Sequence, residues 1–396
     1  MLTRYTRHWL PFTQMDAFDP PARTFVRGDG NYLIDARGSR LFDAVSSIWT
    51  TIHGHCRPEI VAAIAGQAAR LDHATALGAT NPVADELADR LCELTGMHAA
   101  FFASDGASAV EAALKMALQY WQSAGEPQRT RFVRLTGGYH GDTAAAMSVS
   151  DIAIFKQRFG AVTFETLAYD AVDGAVGRDD VAAIIVEPLV QAAAGIRIVP
   201  AAKYAPLRNV RPLLIVDEIA TGFGRTGTMF AYEQTDLEPD IVCAGKGITG
   251  GALALSAALA SRAVYEAFLG ARSENRQFFH GHSYAGNPIA CAAALASLDI
   301  FDADRTLAHV ASLEPRVRAR LERLRAHPAV RDARGIGLMC AVELDGIGAW
   351  DVANALYERG FFTRAIGDAI QFVPPLATAA PEAEAFFDAL EAELPG

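Results

Sequence analysis

The stretch RPLLIVDEIATGFGRTG, Arg211 to Gly227, offers two readings of the fold. Its second half, GFGRTG (222–227), matches G-x-G-x-x-G, the glycine spacing of a dinucleotide-binding turn. Such a turn follows a strand directly and opens a helix, because the phosphates rest on the helix N-terminus. Here the apolar run ends at Asp217, five residues before Gly222, and TMFAYEQTD beyond it has no clean amphipathic period. That disfavours a nicotinamide reductase and leaves a short apolar strand that ends in a carboxylate.

Other runs share this design. HAAFFAS (98–104) leads into a Gly/Ser loop and then the helical pattern AVEAALKMALQYW, and RFVRL (131–135) leads into TGGYHGDT. VAAIIVEP (181–188) ends at Glu187, and DIVCAGK (240–246) ends at Lys246. β-rich runs alternating with helical patterns predict an α/β fold with a mostly parallel sheet, whose C-terminal strand edge is where ligands bind. After about residue 290 the texture changes to a long helical region, an Arg/Glu-rich stretch (314–325) and two further apolar runs. The expected organisation is an N-terminal segment (1–45) packing with a small C-terminal α+β domain (291–396), around a large α/β domain (46–290).

Composition narrows the function. A formal charge of −11 without basic blocks argues against nucleic-acid and acidic-membrane partners. Five dispersed cysteines with no CxxC pair fit reduced thiols, not a disulfide framework or a zinc site, so no metal is expected. The start lacks a leader-like apolar region, and the most apolar stretches are too short and too punctuated to span a bilayer, which makes a cytoplasmic location the expectation.

The strand ends collect particular chemistry. SDGASAVEAALK (104–115) puts small residues at a helix start, where free N–H groups form a ready phosphate site, although an ordinary capped helix reads the same way. TGGYHGD (136–142) places Tyr139 and His140 in a glycine-rich loop, where the aromatic ring would stack on a planar ligand or simply half-bury in a turn. Asp217 needs a positive partner, such as a protonated heterocyclic nitrogen, unless it caps the next element. Lys246 stands between glycines in a chain with only four lysines: Lys115, Lys156, Lys203 and Lys246. Arginine carries nearly all the positive charge, and only a desolvated lysine can act as a neutral amine nucleophile. A phosphate cradle, an aromatic stacker, a carboxylate and an imine-forming lysine together meet the needs of pyridoxal 5'-phosphate.

Through HWLPFTQM, SSIWTTIHGH, AVEAALKMALQYW, YHGDTAAAMSVSD, VDEIATGFGRTG, AGKGITGG and NPIACAAALASL, the chain resembles class III pyridoxal-phosphate aminotransferases of fold type I. KMALQYW and YHGDT…AMSVSD point to the branch serving biotin biosynthesis. The resemblance implies a large domain with a sheet of the seven-stranded type and a homodimer with shared active sites. Lys246 becomes the Schiff-base lysine, Asp217 the partner of the pyridine nitrogen and Tyr139 the ring stacker. His140 and Glu187 complete the cofactor shell, and Gly106 and Ala107 lie under the phosphate. In HGHSYAGNP, Ser283 reaches the phosphate from the partner subunit, with His282 as a further cofactor-binding position and Gly281 as a substrate-binding one. Arg364 falls where the family binds a substrate carboxylate, with Arg225 and Asp142 in the same pocket. The implied substrates are a small-molecule amino donor, S-adenosylmethionine, and a keto acceptor, 8-amino-7-oxononanoate.

Several positions depart from the family pattern. Phe12 replaces a tyrosine, and Ile48 beside Trp49 replaces one of two tryptophans. Ala107 stands for a serine, His282 for a proline and Gln371 for a tyrosine. The cofactor positions match, whereas Phe12, Ile48 and Gln371 fall on the substrate wall, where lost polar and aromatic contacts alter selectivity. A paralogue with another amine or keto substrate is the alternative reading.

Overall fold

The computed structural model describes residues 7–17, 23–168, 177–208 and 210–395. Its largest sheet has seven strands, in the order Ala99–Ala103, Ser256–Ala260, Ile241–Ala244, Leu213–Asp217, Val181–Val186, Arg131–Arg134 and Leu167–Ala168. Strands from Ile241–Ala244 through Leu167–Ala168 pair in parallel, and Ser256–Ala260 is antiparallel to both neighbours. Every residue of Val181–Val186 and Leu213–Asp217 is buried, as expected for strands covered on both faces. Each fully buried Ile or Val there contributes about 1.5–3 kcal/mol of hydrophobic stabilisation.

Helix Gly106–Ser123 covers one face through Ala109, Val110, Ala112, Ala113, Leu114, Met116 and Ala117. The alanines let the helix lie close to the sheet, and Trp121 donates its indole N–H to the Ala182 carbonyl at 2.8 Å. Asp105 caps the helix by accepting from Ser108 N at 3.0 Å. The segment after GFGRTG forms bends and a 3₁₀ turn, Ala231–Gln234, so no helix opens there.

A second sheet joins Val330–Ile336, Met339–Leu344, Ala369–Phe372 and Ala365–Ile366, with helices Thr306–Arg325 and Ala380–Glu391 packed nearby. Phe372 lies 4.9 Å from Phe386 and 4.8 Å from Phe387, a buried aromatic cluster. The N-terminal strands Phe25–Asp29, Tyr32–Asp35 and Arg40–Asp43 are closed by C-terminal Phe361–Phe362, which pairs in parallel with Arg40–Asp43. Residue 290 lies inside helix Pro288–Ala303, which packs on helices Pro58–Arg70 and Pro82–Thr95. One apolar cluster runs from Val242 and Ala244 through Leu298 to Phe386, so the core continues across that position. Among the described residues no helix is long and apolar enough to cross a membrane.

Candidate active site

The C-terminal strand edge gathers Asp217, Glu187, the loop 136–142 and Lys246. Asp217 is 3% exposed, and His140 donates from Nδ1 to its Oδ2 at 2.6 Å, while Ile219 N–H donates to Oδ1 at 3.0 Å. Ser150 Oγ accepts from His140 N at 2.9 Å, which fixes the ring from its own backbone. Glu187 accepts from Tyr139 N at 2.9 Å and from Ala192 N at 3.1 Å. Burial pushes the Glu187 carboxyl up to about 7, with Asp217 adding to the shift and His140 and the two N–H donors opposing it. Tyr139 donates its hydroxyl to Asp142 Oδ2 at 2.8 Å, and burial, then Asp142, raise its pKa well above that of a free phenol.

Lys246 is half-buried and adopts φ 44°, a left-handed conformation at the first residue of a 3₁₀ turn. Its Nζ lies 5.1 Å from the centre of the Trp49 ring, and it makes no ion pair among the described residues. Desolvation lowers its pKa, Asp217 and Glu187 oppose that shift, and Arg225 adds to it. A half-buried amine with a depressed pKa is the form suited to nucleophilic chemistry. The flanking glycines serve packing. A Cβ at Gly247 would lie 2.9 Å from Ile52 Cδ1 and 3.0 Å from Phe223 Cβ. At Gly251, with φ 90°, it would lie 2.7 Å from the Thr50 backbone.

Gly106 and Ala107 are the first helical residues after Asp105, where backbone N–H groups have no intrahelical acceptor. A Cβ at Gly106 would lie 2.8 Å from Ile219 Cγ2, so this glycine brings the helix end against the turn after Asp217. His282 lies 3.5 Å from Ser104 Oγ within the same chain. Gly281 and Ser283 are exposed.

The wall facing Lys246 holds the least expected feature. Ser46, Ser47, Ile48 and Trp49 all have positive φ, at 50°, 48°, 66° and 65°, forming a left-handed turn without glycine. Each such residue costs roughly 1–2 kcal/mol, so the turn persists only because its surroundings hold it. Ser46 Oγ donates to Val373 O at 2.7 Å, and Ser47 Oγ donates to Asp43 Oδ2 at 3.1 Å. Trp49 Nε1 donates to Gln371 Oε1 at 2.7 Å, and Gln371 Nε2 donates to Arg364 O at 3.1 Å.

Among the residues expected to line the substrate pocket, Gln371 and Arg225 are each 1% exposed and face protein. Arg225 donates from Nη1 to Pro374 O at 2.6 Å and from Nη2 to Thr51 O at 2.9 Å, bracing the loops around the turn. The half-buried Arg364 guanidinium has no ion pair among the described residues and lies 5.8 Å from the Trp350 ring. Phe12 is 62% exposed and packs edge-on against Phe155, which packs in turn against Tyr139. Sequence reasoning missed Trp350 and Phe155, which no motif marks, and the tie from Gln371 to Trp49. A lone glutamine within the apolar run AIQFV was the available signal for that tie.

The arrangement fits a planar, phosphorylated, nitrogen-containing group. His140 Nε2 is buried and has no partner among the described residues, and the helix-end N–H groups supply an anion site. Among those residues no cluster of three or more metal-ligating side chains occurs.

The comparisons agree with this geometry. The adenosylmethionine-8-amino-7-oxononanoate aminotransferase of Geobacter sulfurreducens is 39% identical, covering 97% of this chain and 95% of its own length. The crystal structure of the Methanocaldococcus jannaschii enzyme of the same name superposes with a TM-score of 0.92 at 35% identity, covering 98% of both chains. An amine transaminase from an uncultivated Pseudomonas species, in its PLP-bound form, gives 0.90 at 33% identity, again covering 98% of both chains. The aminotransferase class-III model matches residues 15–394, and the chain belongs to that family.

Proposed function

We propose that this protein is a pyridoxal-phosphate aminotransferase that moves an amino group from S-adenosylmethionine to 8-amino-7-oxononanoate. The product is 7,8-diaminononanoate, on the route to biotin. The observation that carries the reading is the half-buried Lys246 amine, 5.1 Å from the Trp49 ring, on the strand edge that also bears the Asp217–His140 pair.

Pyridoxal phosphate, when bound, supplies an aldehyde that accepts the amino group and a ring that takes up electron density from the donor carbon. The residues of this chain do the rest. Gly106 and Ala107 N–H groups bind the phosphate at the positive helix end. Asp217, fixed by His140, would face the ring nitrogen and favour its protonated form. Tyr139 covers one ring face, its backbone clamped by Glu187 and its hydroxyl by Asp142. With the cofactor bound, Lys246 would hold it, and its Nζ would serve as the base and acid that moves the substrate proton in both half-reactions. The Arg364 guanidinium, which has no ion pair among the described residues, receives a substrate carboxylate.

Ser283 reaches the phosphate of a neighbouring subunit in a homodimer, and the protein works in the cytoplasm. A second reading keeps the cofactor and changes the substrate. It is favoured by Phe12, Ile48 and Gln371, and by likeness to an amine transaminase.

The test is spectroscopic. Purified protein with pyridoxal phosphate should show a visible absorption band that Lys246→Ala abolishes. S-adenosylmethionine should bleach the band, and 8-amino-7-oxononanoate should restore it. Protein that never takes up the cofactor refutes the whole reading. Bleaching only by another amine refutes the donor assignment and supports the second reading.

A further inference from the structure

The turn that presents Trp49 to Lys246 has no glycine to relieve it, yet it carries four consecutive left-handed residues. The segment after Arg364 supplies much of what holds it. Val373 O accepts from Ser46 Oγ at 2.7 Å, Val373 N donates to Ala44 O at 2.8 Å, and Gln371 Oε1 accepts from the Trp49 indole at 2.7 Å. Gln371 also ties that strand to the arm bearing Arg364. Its backbone N and its side-chain Nε2 donate to Arg364 O at 3.3 and 3.1 Å, and its carbonyl accepts from Thr363 Oγ1 at 2.7 Å. The side-chain amide of Gln371 is therefore spent at both ends on protein and is 1% exposed.

We propose that Gln371 is a positioning residue that sets substrate selectivity by tying Trp49, beside the reacting amine, to the main chain of Arg364, whose guanidinium has no ion pair among the described residues. The inference rests on the aminotransferase reading above and extends it. A carboxylate seated on Arg364 and an amino group presented to Lys246 are held at one fixed separation, because one buried amide spans the two walls. Trp350, 47% exposed and 5.8 Å from the guanidinium, backs the same arm from the solvent side. The site thus selects substrates carrying a carboxylate at a set distance from the reacting carbon, over simple amines and ketones.

The test uses the cofactor-loaded enzyme, with 8-amino-7-oxononanoate and a simple aliphatic aldehyde without a carboxylate as competing acceptors. Gln371→Leu keeps the volume and removes both side-chain bonds. Its preference for the carboxylate-bearing acceptor, as a ratio of kcat/KM values, should fall about tenfold or more, mainly through KM. Trp49→Phe removes the indole donor together with part of the ring and should lower the same ratio, and the double variant should lose little beyond what the larger of the two single losses accounts for. Near-ultraviolet circular dichroism of the cofactor-free protein gives an independent readout. Gln371→Leu should change the tryptophan fine structure, and the same substitution made in a Trp49→Phe background should not. If Gln371→Leu does not fold, Trp49→Phe carries the test alone. An unchanged preference ratio in the folded variants, or additive losses in the double variant, overturns the proposal. Wild-type protein that transaminates neither acceptor refutes the aminotransferase reading, and this inference falls with it. Turnover of both acceptors with an unchanged ratio in the variants defeats this inference alone.

Discussion

Glu218 offers a direct measurement of what burying a carboxylate beside the active site costs. It follows Asp217, is fully buried, and accepts from Thr221 Oγ1 at 2.6 Å and Tyr232 N at 2.7 Å. Burial outweighs those bonds and raises its pKa from 4.5 to about 7, with Asp217 adding to the rise. The folded carboxyl therefore binds its proton more tightly than the unfolded one. Its contribution to stability is fully present below the unfolded value and is lost as pH rises through the folded value. At about 1.4 kcal/mol per unit, the gap corresponds to roughly 3 kcal/mol. Glu218→Gln keeps an acceptor for Tyr232 N and a partner for the Thr221 hydroxyl but cannot titrate. Urea midpoints of the cofactor-free protein, wild type and variant, would be compared at about pH 5 and about pH 8.5. The wild type should lose roughly 3 kcal/mol relative to the variant between those conditions. Glu187 has a similar upward shift, but it is common to both proteins and cancels in the difference. Parallel stability curves would show that Glu218 pays no burial penalty and would refute the reasoning.

Two further outcomes follow from the same packing. His53 is buried against Phe301 and Ser297, and desolvation lowers its pKa from 6.5 to about 4. Because the unfolded imidazole takes its proton first, stability falls as pH drops from about 6.5 towards 4. The loss is roughly 3 kcal/mol, and His53→Gln should remove it from urea midpoints taken at about pH 7 and about pH 4.5. Gly247→Ala should cost about 1–3 kcal/mol by overpacking against Ile52 and Phe223. Adding Ile52→Val deletes the methyl at 2.9 Å and should recover part of that loss in a double-mutant cycle, whereas strict additivity would exclude the contact as the cause.

What was legible in the sequence is what local pattern encodes. The buried runs ending at Asp217, Glu187 and Lys246 are strands because continuous β-rich apolar segments suit a sheet covered on both faces. Their polar ends then fall on one edge by topology alone. Ser256–Ala260 escaped that reading, since its antiparallel direction depends on its partners and not on its own residues. The glycines around Lys246 were legible as small, but not as contacts to Ile52 and Thr50, which lie about two hundred residues earlier in the chain. Nor does anything in SSIW announce a left-handed turn. Serine, isoleucine and tryptophan all avoid that region, and besides local bonds to Asp43 and Val45 the distant Gln371 and Val373 hold them there. Nor do the residues around Arg225, which the family resemblance put in the substrate pocket, announce that its two Nη atoms donate to the Pro374 and Thr51 carbonyls, while its buried Nε has no partner among the described residues.

These long-range ties change how the departures from the family pattern combine. Ile48 and Gln371 are far apart in sequence and look like independent losses of aromatic surface. In the fold they meet through Trp49. Ile48 precedes it in the strained turn, and Gln371 takes its indole proton. A tyrosine at 371 would present a hydroxyl in place of an amide and could not bond both the indole and the Arg364 carbonyl with the same geometry. A tryptophan at 48 would enlarge the turn that Gln371 steadies. The two positions therefore meet in one structural unit, and on this proposal their effects on selectivity are non-additive when both are changed. Phe12 stands apart from that unit, packed on Phe155 over the opposite approach to Tyr139. On this proposal substrate choice thus falls at two separate places, a buried brace at Gln371 and an exposed aromatic edge at Phe12.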